Sequence, residues 1–226
     1  MSTVGAAGPV QGVHFVTDPE LTLRHGLLAT VDAAVRAGVA VVQLRDKHAS
    51  ARDLLVTLTA VADVVRGRCT LLLDDRVDVA LAARQAGASV DGVHIGQNDL
   101  PALAARRMLG PDAVIGLTAN SSAHLTALAP LPTRTVDYLG VGVIRPTTTK
   151  RDHPEPLGVT GFTAIAAATD LPCIAIGGVG LDDMAGLAGA GGAGVAVVSA
   201  ICSADDPGRA ARDLVTGWAE ATKVTA

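Results

Sequence analysis

Aromatic side chains are nearly missing from this chain, which has one Trp, one Tyr and two Phe in 226 residues. Its core must therefore be aliphatic, and with 49% hydrophobic residues there is enough Val, Ala, Leu and Ile for one large interior. That composition, with 25 glycines, suits parallel strands covered by helices on both faces. Cysteine is scarce as well. Cys69, Cys173 and Cys202 stand far apart in or beside apolar runs, which argues against a zinc knuckle or a disulfide framework. Positive charge is in deficit, with 18 Lys and Arg against 22 Asp and Glu and a net charge of −4, so no nucleic-acid partner is expected and any anion site must be local. No apolar run is long enough to span a membrane, and "MSTVGAAGPVQ" (1–11) lacks the basic and apolar regions of a secretion signal. The expectation is a cytoplasmic protein with no membrane partner, a flexible leader over 1–11 and a single domain over 12–226.

What the chain does have is alternation. Apolar, β-rich runs recur at 12–18, 40–46, 70–75, 92–96, 113–119, 138–144, 172–178 and 194–200. Helically spaced segments follow them at 21–37, 50–66, 76–86, 100–109, 121–129, 160–169, 181–189 and 205–222. Ser50, Asn120–Ser121 and Asp205–Asp206 before Pro207 are helix-start signals, while Gly38, Gly87 and Gly191 sit where helices must stop. Strand-and-helix units repeated this often close most simply as a (β/α)₈ TIM barrel. An open doubly wound sheet is the alternative, but no Gly-x-Gly-x-x-Gly follows the first strand. The longest irregular stretch, "RPTTTKRDHPEPLG" (145–158), reads as a functional lid or a mobile connection.

In such a barrel the chemistry gathers at the carboxyl ends of the strands. Strand two ends "VQLRDK", and a period of two puts Gln43, Arg45 and Lys47 on one side and Leu44 and Asp46 on the other. Strands three and four run into "DDRVD" and "HIGQND". Taken alone, Asp75 and Asp99 read as helix caps; beside a cationic strand two they favour a hard-oxygen site for magnesium. Strand five ends at Thr118, either a core hydroxyl or a site hydroxyl. "VGVIRPTTTK" (141–150) follows an apolar strand with three hydroxyls and an ammonium, a grouping that suits phosphate, although Pro and Thr read equally well as a polar exposed loop. Strands seven and eight end "IGGVG" and "VVSA", where bare glycine amides can approach a phosphate or can simply permit tight packing. His14 and His94 read as interior imidazoles, and no Ser-His-Asp or Cys-His set emerges.

Together, "QLRDK" (43–47), "DDRVDVAL" (74–81), "GVHIGQND" (92–99), "GVIRPTTTK" (142–150), "AIGGV" (175–179) and "VVSAI" (197–201) resemble the thiamine phosphate synthase family, over nearly the whole chain. The resemblance implies a TIM-barrel transferase that joins an aminopyrimidine methyl diphosphate to a thiazole ethyl phosphate, releases pyrophosphate and uses magnesium. Carried over residue by residue, Gln43, Leu44, Arg45, Asp46, Lys47, Asp74, Thr118 and Lys150 would bind the pyrimidine diphosphate. Arg45, Lys47 and Lys150 would act on the leaving group, and Asp75 and Asp99 would hold the metal. Thr147, Thr148, Thr149, Gly178, Val198 and Ser199 would bind the thiazole phosphate. The chain departs from the family at Asp74, usually Asn, and at Thr118, usually Ser. The partners implied are two small phosphorylated heterocycles, and self-association stays open. A thiazole tautomerase of the same fold and a non-catalytic phosphate-binding barrel are the alternatives.

Overall fold

The computed structural model describes residues 10–147 and 155–225. Its elements run β1 (Gly12–Val16), α1 (Leu27–Ala37), β2 (Val41–Leu44), α2 (Ala51–Val65), β3 (Thr70–Asp74), α3 (Val77–Gln85), β4 (Gly92–Ile95) and α4 (Ala102–Leu109). They continue with β5 (Val114–Thr118), α5 (Ser122–Leu128), β6 (Tyr138–Gly142), α6 (Gly158–Ala166), β7 (Cys173–Ile176), α7 (Met184–Gly189), β8 (Gly194–Val197), α8 (Ser199–Cys202) and α9 (Pro207–Thr225). Strands β1 to β8 pair in sequence order, all parallel, and β1 pairs with β8 to close the barrel. The (β/α)₈ expectation holds.

Alternation along each strand builds two cores. Outward residues such as Phe15, Leu44, Leu71, Leu73 and Ile115 pack against the helices in one large cluster. Inward residues Val16, Val41, Leu72, Val114, Tyr138, Ile174 and Ala196 fill the barrel. Val10 joins them at 4% exposure, so the tight packing begins inside the stretch expected to be a free leader. Two glycines make room for the large inward groups. A Cβ on Gly116 would lie 2.2 Å from the Tyr138 ring, and one on Gly140 would lie 2.8 Å from His94.

The helix ends follow local chemistry. Ser50 accepts the Asp53 amide at 3.2 Å and Ser121 accepts the His124 amide at 3.3 Å, caps each worth about 1 kcal/mol. Asp206 takes the Arg209 amide at 2.9 Å at the start of α9. The first expected helix is shorter than 21–37, because Asp18 Oδ1 ties the Glu20 and Leu21 amides into a turn and Gly26, at φ 81°, delays the helix to Leu27. Residues 181–183 form a 3₁₀ turn ahead of α7. Strand eight stops at Val197, and Ser199 opens the short α8. All three cysteines are unpaired, and burial pushes each thiol up to about 11, so they stay protonated; Cys173 and Cys202 are core residues and Cys69 packs half-buried against the core. Among the described residues no helix is long and apolar enough to cross a membrane.

His14 gives the barrel interior a pH dependence. It is buried, and its Nε2 donates to the Val10 carbonyl at 2.7 Å. Burial is the largest influence and lowers its pKa from 6.5 to about 4; His94 adds to the effect and the Val10 carbonyl opposes it. Below pH ~6.5 the unfolded chain binds a proton here that the folded chain refuses, so stability falls as pH drops through that window toward about 4. By pH ~5 the loss from this residue is about 2 kcal/mol. Urea unfolding at pH ~7 and ~5 should show that His14→Gln removes this part of the slope; identical slopes in the two proteins would contradict it.

Candidate active site

A cavity of about 430 Å³ opens at the carboxyl ends of the strands, and all eight strands or the loops after them contribute to its wall. The β2 end supplies Gln43, Arg45 and Lys47, as the period of two requires. Leu44 and Asp46, expected among the ligands, do not line it. Leu44 points outward and packs under the helices at 1% exposure. Asp46 folds into the next turn, where Oδ1 accepts the His48 and Ala49 amides at 2.9 and 3.0 Å.

The cations of β2 meet the carboxylates of β3. Lys47 Nζ lies 2.7 Å from Asp74 Oδ2 and also pairs with Asp75 Oδ2. Burial pulls the Lys47 ammonium pKa down, but these two carboxylates outweigh it and hold it above its ordinary value, so it stays charged. Arg45 stands 3.7 Å from both Asp74 and Asp18, and its amide is fixed by Thr17 Oγ1 at 3.0 Å. Asp74 is almost enclosed: Oδ1 accepts from Gln43 Nε2 at 2.6 Å, while Oδ2 faces Lys47 off the hydrogen-bond direction. It lines the cavity together with its two partners, Gln43 and Lys47.

Asp75 and Asp99 are not helix caps. The residues that cap α3 and α4 are Arg76 and Pro101, neither with a side-chain cap bond. Asp75 has φ 59°, a left-handed backbone that costs a non-glycine residue energy and that turns its side chain toward Lys47. Asp99 Oδ2 accepts the Gly96 amide at 2.7 Å, holding the loop after β4 against the cavity. Burial raises the Asp99 pKa first, the Gly96 amide opposes, and the nearby Asp75 carboxyl raises it further. Two carboxylates kept this close are a like-charge pair that a divalent cation would relieve. Among the described residues no group of three His, Cys, Asp or Glu side chains forms a metal cage.

The β4–β6 side is a hydrogen-bond chain that the sequence does not reveal. Tyr138 Oη lies 2.9 Å from His94 Nδ1, and His94 Nε2 lies 3.1 Å from Thr118 Oγ1. Burial raises the tyrosine pKa and lowers that of His94 to about 4, with Lys47 contributing to the latter, so both are neutral near pH ~7. Every buried proton finds an acceptor only if Tyr138 donates to Nδ1 and Nε2–H donates to Thr118. Thr118, which lines the cavity, then accepts from His94 and keeps its own hydroxyl proton available to donate. Asn120, read from sequence as a cap, instead accepts the Gly142 amide at 3.2 Å and lines the cavity.

Across the mouth, Thr147, Gly178, Val198 and Ser199 come together with Gly177. Gly178 has φ 67°, and a Cβ there would lie 2.8 Å from the Pro146 carbonyl, so the strand-seven loop passes directly beneath the start of the threonine loop. Arg145 anchors that loop by donating to the buried Asp183 at 2.7 Å. Thr148, Thr149 and Lys150 lie outside the described residues.

The family model for thiamine monophosphate synthase matches residues 13–201. The chain belongs to this family. A thiamine-phosphate synthase of Psychrobacter sp. is 42% identical over 203 residues, spanning 90% of this chain and 93% of that protein. One of Corynebacterium efficiens is 44% identical over 187 residues, spanning 83% and 86%. Among solved structures, a thiamine phosphate pyrophosphorylase from Pyrococcus furiosus superposes with a TM-score of 0.80 at 27% identity, covering 96% of this chain and 98% of that one. Family membership rests on the whole barrel, from β1 to α8, and so includes every strand end that builds the cavity.

Proposed function

We propose that this protein is a thiamine phosphate synthase, a cytoplasmic transferase that joins 4-amino-2-methyl-5-(diphosphooxymethyl)pyrimidine to a thiazole ethyl phosphate, giving thiamine monophosphate and pyrophosphate. The observation that carries the reading is one cavity in which a cation-and-carboxylate wall faces a glycine-and-hydroxyl wall. The first suits a diphosphate and the second a monophosphate.

Asp75 and Asp99 fit magnesium, which binds through one or two carboxylates and completes its shell with water and phosphate oxygens. When bound, it would offset negative charge on the diphosphate. The protein's own groups do the rest. Arg45 and Lys47, with Lys150 from the loop, bind the diphosphate and stabilise the charge that grows as the methylene C–O bond breaks and its electron pair leaves with pyrophosphate. Lys47 has to exchange Asp74 and Asp75 for phosphate oxygens, whose negative charge takes over from the two carboxylates that hold its pKa up and keeps the ammonium charged. Thr118 donates toward the pyrimidine side. Ser199, Gly178, Val198 and the threonines of 147–149 hold the thiazole phosphate so that the thiazole nitrogen lone pair forms the new C–N bond at the methylene carbon. No protein nucleophile is needed, which agrees with the lack of a nucleophile–base pair in the sequence.

Mixing the protein with both substrates and magnesium should release pyrophosphate, with either substrate alone giving none. Release from the pyrimidine diphosphate alone at the same rate would mean hydrolysis and would refute the reading.

A further inference from the structure

One side chain in this cavity has its polarity set by a neighbour. Gln43 is 5% exposed and lines the cavity. A glutamine amide has a donating end and an accepting end of nearly the same shape, so what it faces decides how it lies. Gln43 faces Asp74, and its Nε2 donates to Asp74 Oδ1 at 2.6 Å. Turning the amide over would set a carbonyl against a carboxylate, two acceptors with no proton between them in a nearly dry place. Asp74 has little freedom to turn aside, because its side chain is 9% exposed and Oδ2 is held 2.7 Å from Lys47 and 3.7 Å from Arg45. Gln43 Oε1 has no hydrogen-bond donor among the described residues, which leaves it for whatever occupies the cavity.

We infer that Asp74 is a positioning residue that locks Gln43 with its carbonyl toward the ligand, so that the site selects a pyrimidine presenting an exocyclic amine over one presenting an oxo group. An amine gives Gln43 Oε1 a proton, whereas an oxo group meets it acceptor to acceptor. With a neutral amide at position 74, which can donate or accept, Gln43 can turn either way and the distinction weakens. Sites that reject a ligand by leaving a buried polar group unpaired discriminate far more strongly than those that reject by size. The inference rests on the proposed pyrimidine diphosphate site and adds the origin of its selectivity.

The test is calorimetric binding of the 4-amino pyrimidine diphosphate and its 4-oxo counterpart, with no thiazole substrate present, to wild type, Asp74→Asn, Gln43→Leu and the double variant. Wild type should prefer the amine by about a hundredfold or more, and Asp74→Asn should narrow the preference by at least about tenfold, chiefly by tighter binding of the oxo ligand. A merely structural role would weaken both ligands alike. In the Gln43→Leu background the Asp74 change should leave the ratio where it was. An unchanged preference in Asp74→Asn, or an equal narrowing in the Gln43→Leu background, overturns the inference. A strong amine preference without condensation on adding the thiazole phosphate supports it while refuting the proposed function; no binding of either pyrimidine by wild type refutes both.

Discussion

Asp99→Asn is expected to lower kcat/KM by about a thousandfold, about 4 kcal/mol of transition-state stabilisation, while the far-ultraviolet circular dichroism spectrum stays the same. The fold should survive because an asparagine carbonyl can still accept the Gly96 amide that Asp99 accepts at 2.7 Å. Activity should fall because one of the two carboxylates proposed for magnesium loses its charge, and with it the affinity for a hard cation. A second consequence separates this account from simple damage. Asp99 is crowded by Asp75, so in chelator the variant should melt at or slightly above the wild-type temperature. Kinetics across a magnesium titration, with calorimetric melting in chelator, would decide the matter. A kcat/KM within about tenfold of wild type at moderate magnesium would remove Asp99 from the metal site.

The second large effect concerns the two anions. Ser199 opens α8 beside Gly178 and Val198, so Ser199→Asp should repel the thiazole phosphate and raise its KM by about tenfold or more, with less change in kcat. Lys150→Ala should do the reverse. Loss of a cation assigned to the leaving group is expected to reduce kcat by about a hundred- to a thousandfold, as for other preorganised charge contacts, and to leave binding of the thiazole phosphate alone little altered. Varying each substrate in turn, with calorimetric binding of the thiazole phosphate, separates the two. If Lys150→Ala abolishes thiazole phosphate binding yet keeps kcat at saturation, the lysine belongs with the threonines and the division of anions is wrong.

The barrel was legible because its signals are local. Each strand is a short aliphatic run and each helix an amphipathic one, so strand and helix alternate visibly, and parallel order follows from the connections. Element ends were less legible where a side chain from outside the element intervenes, as when Asp18 captures the amides of 20 and 21 and delays α1. In the site, the period of two correctly put Gln43, Arg45 and Lys47 together; the same rule argued against Leu44 and Asp46, which the motif alone had swept in as ligands. What sequence could not resolve is set between strands. That Asp99 accepts the Gly96 amide and does not cap α4 is visible only in the fold, and the relay from Tyr138 through His94 to Thr118 joins three strands. A histidine within an apolar run carries no mark of such partners. The Gln43–Asp74 bond likewise depends on the β2–β3 register, which pairs Gln43 with Leu72 and Leu44 with Leu73 and so brings Asp74 beside the β2 end.

Mass-spectrometric analysis of a single turnover, with the protein in excess over both labelled substrates and magnesium present, measures the proposed bond directly. One thiamine monophosphate should form for each pyrophosphate released, with the pyrimidine methylene now carried on the thiazole nitrogen. A hydroxymethyl pyrimidine accumulating in place of the joined product, or an isomerised thiazole with the diphosphate intact, would contradict it.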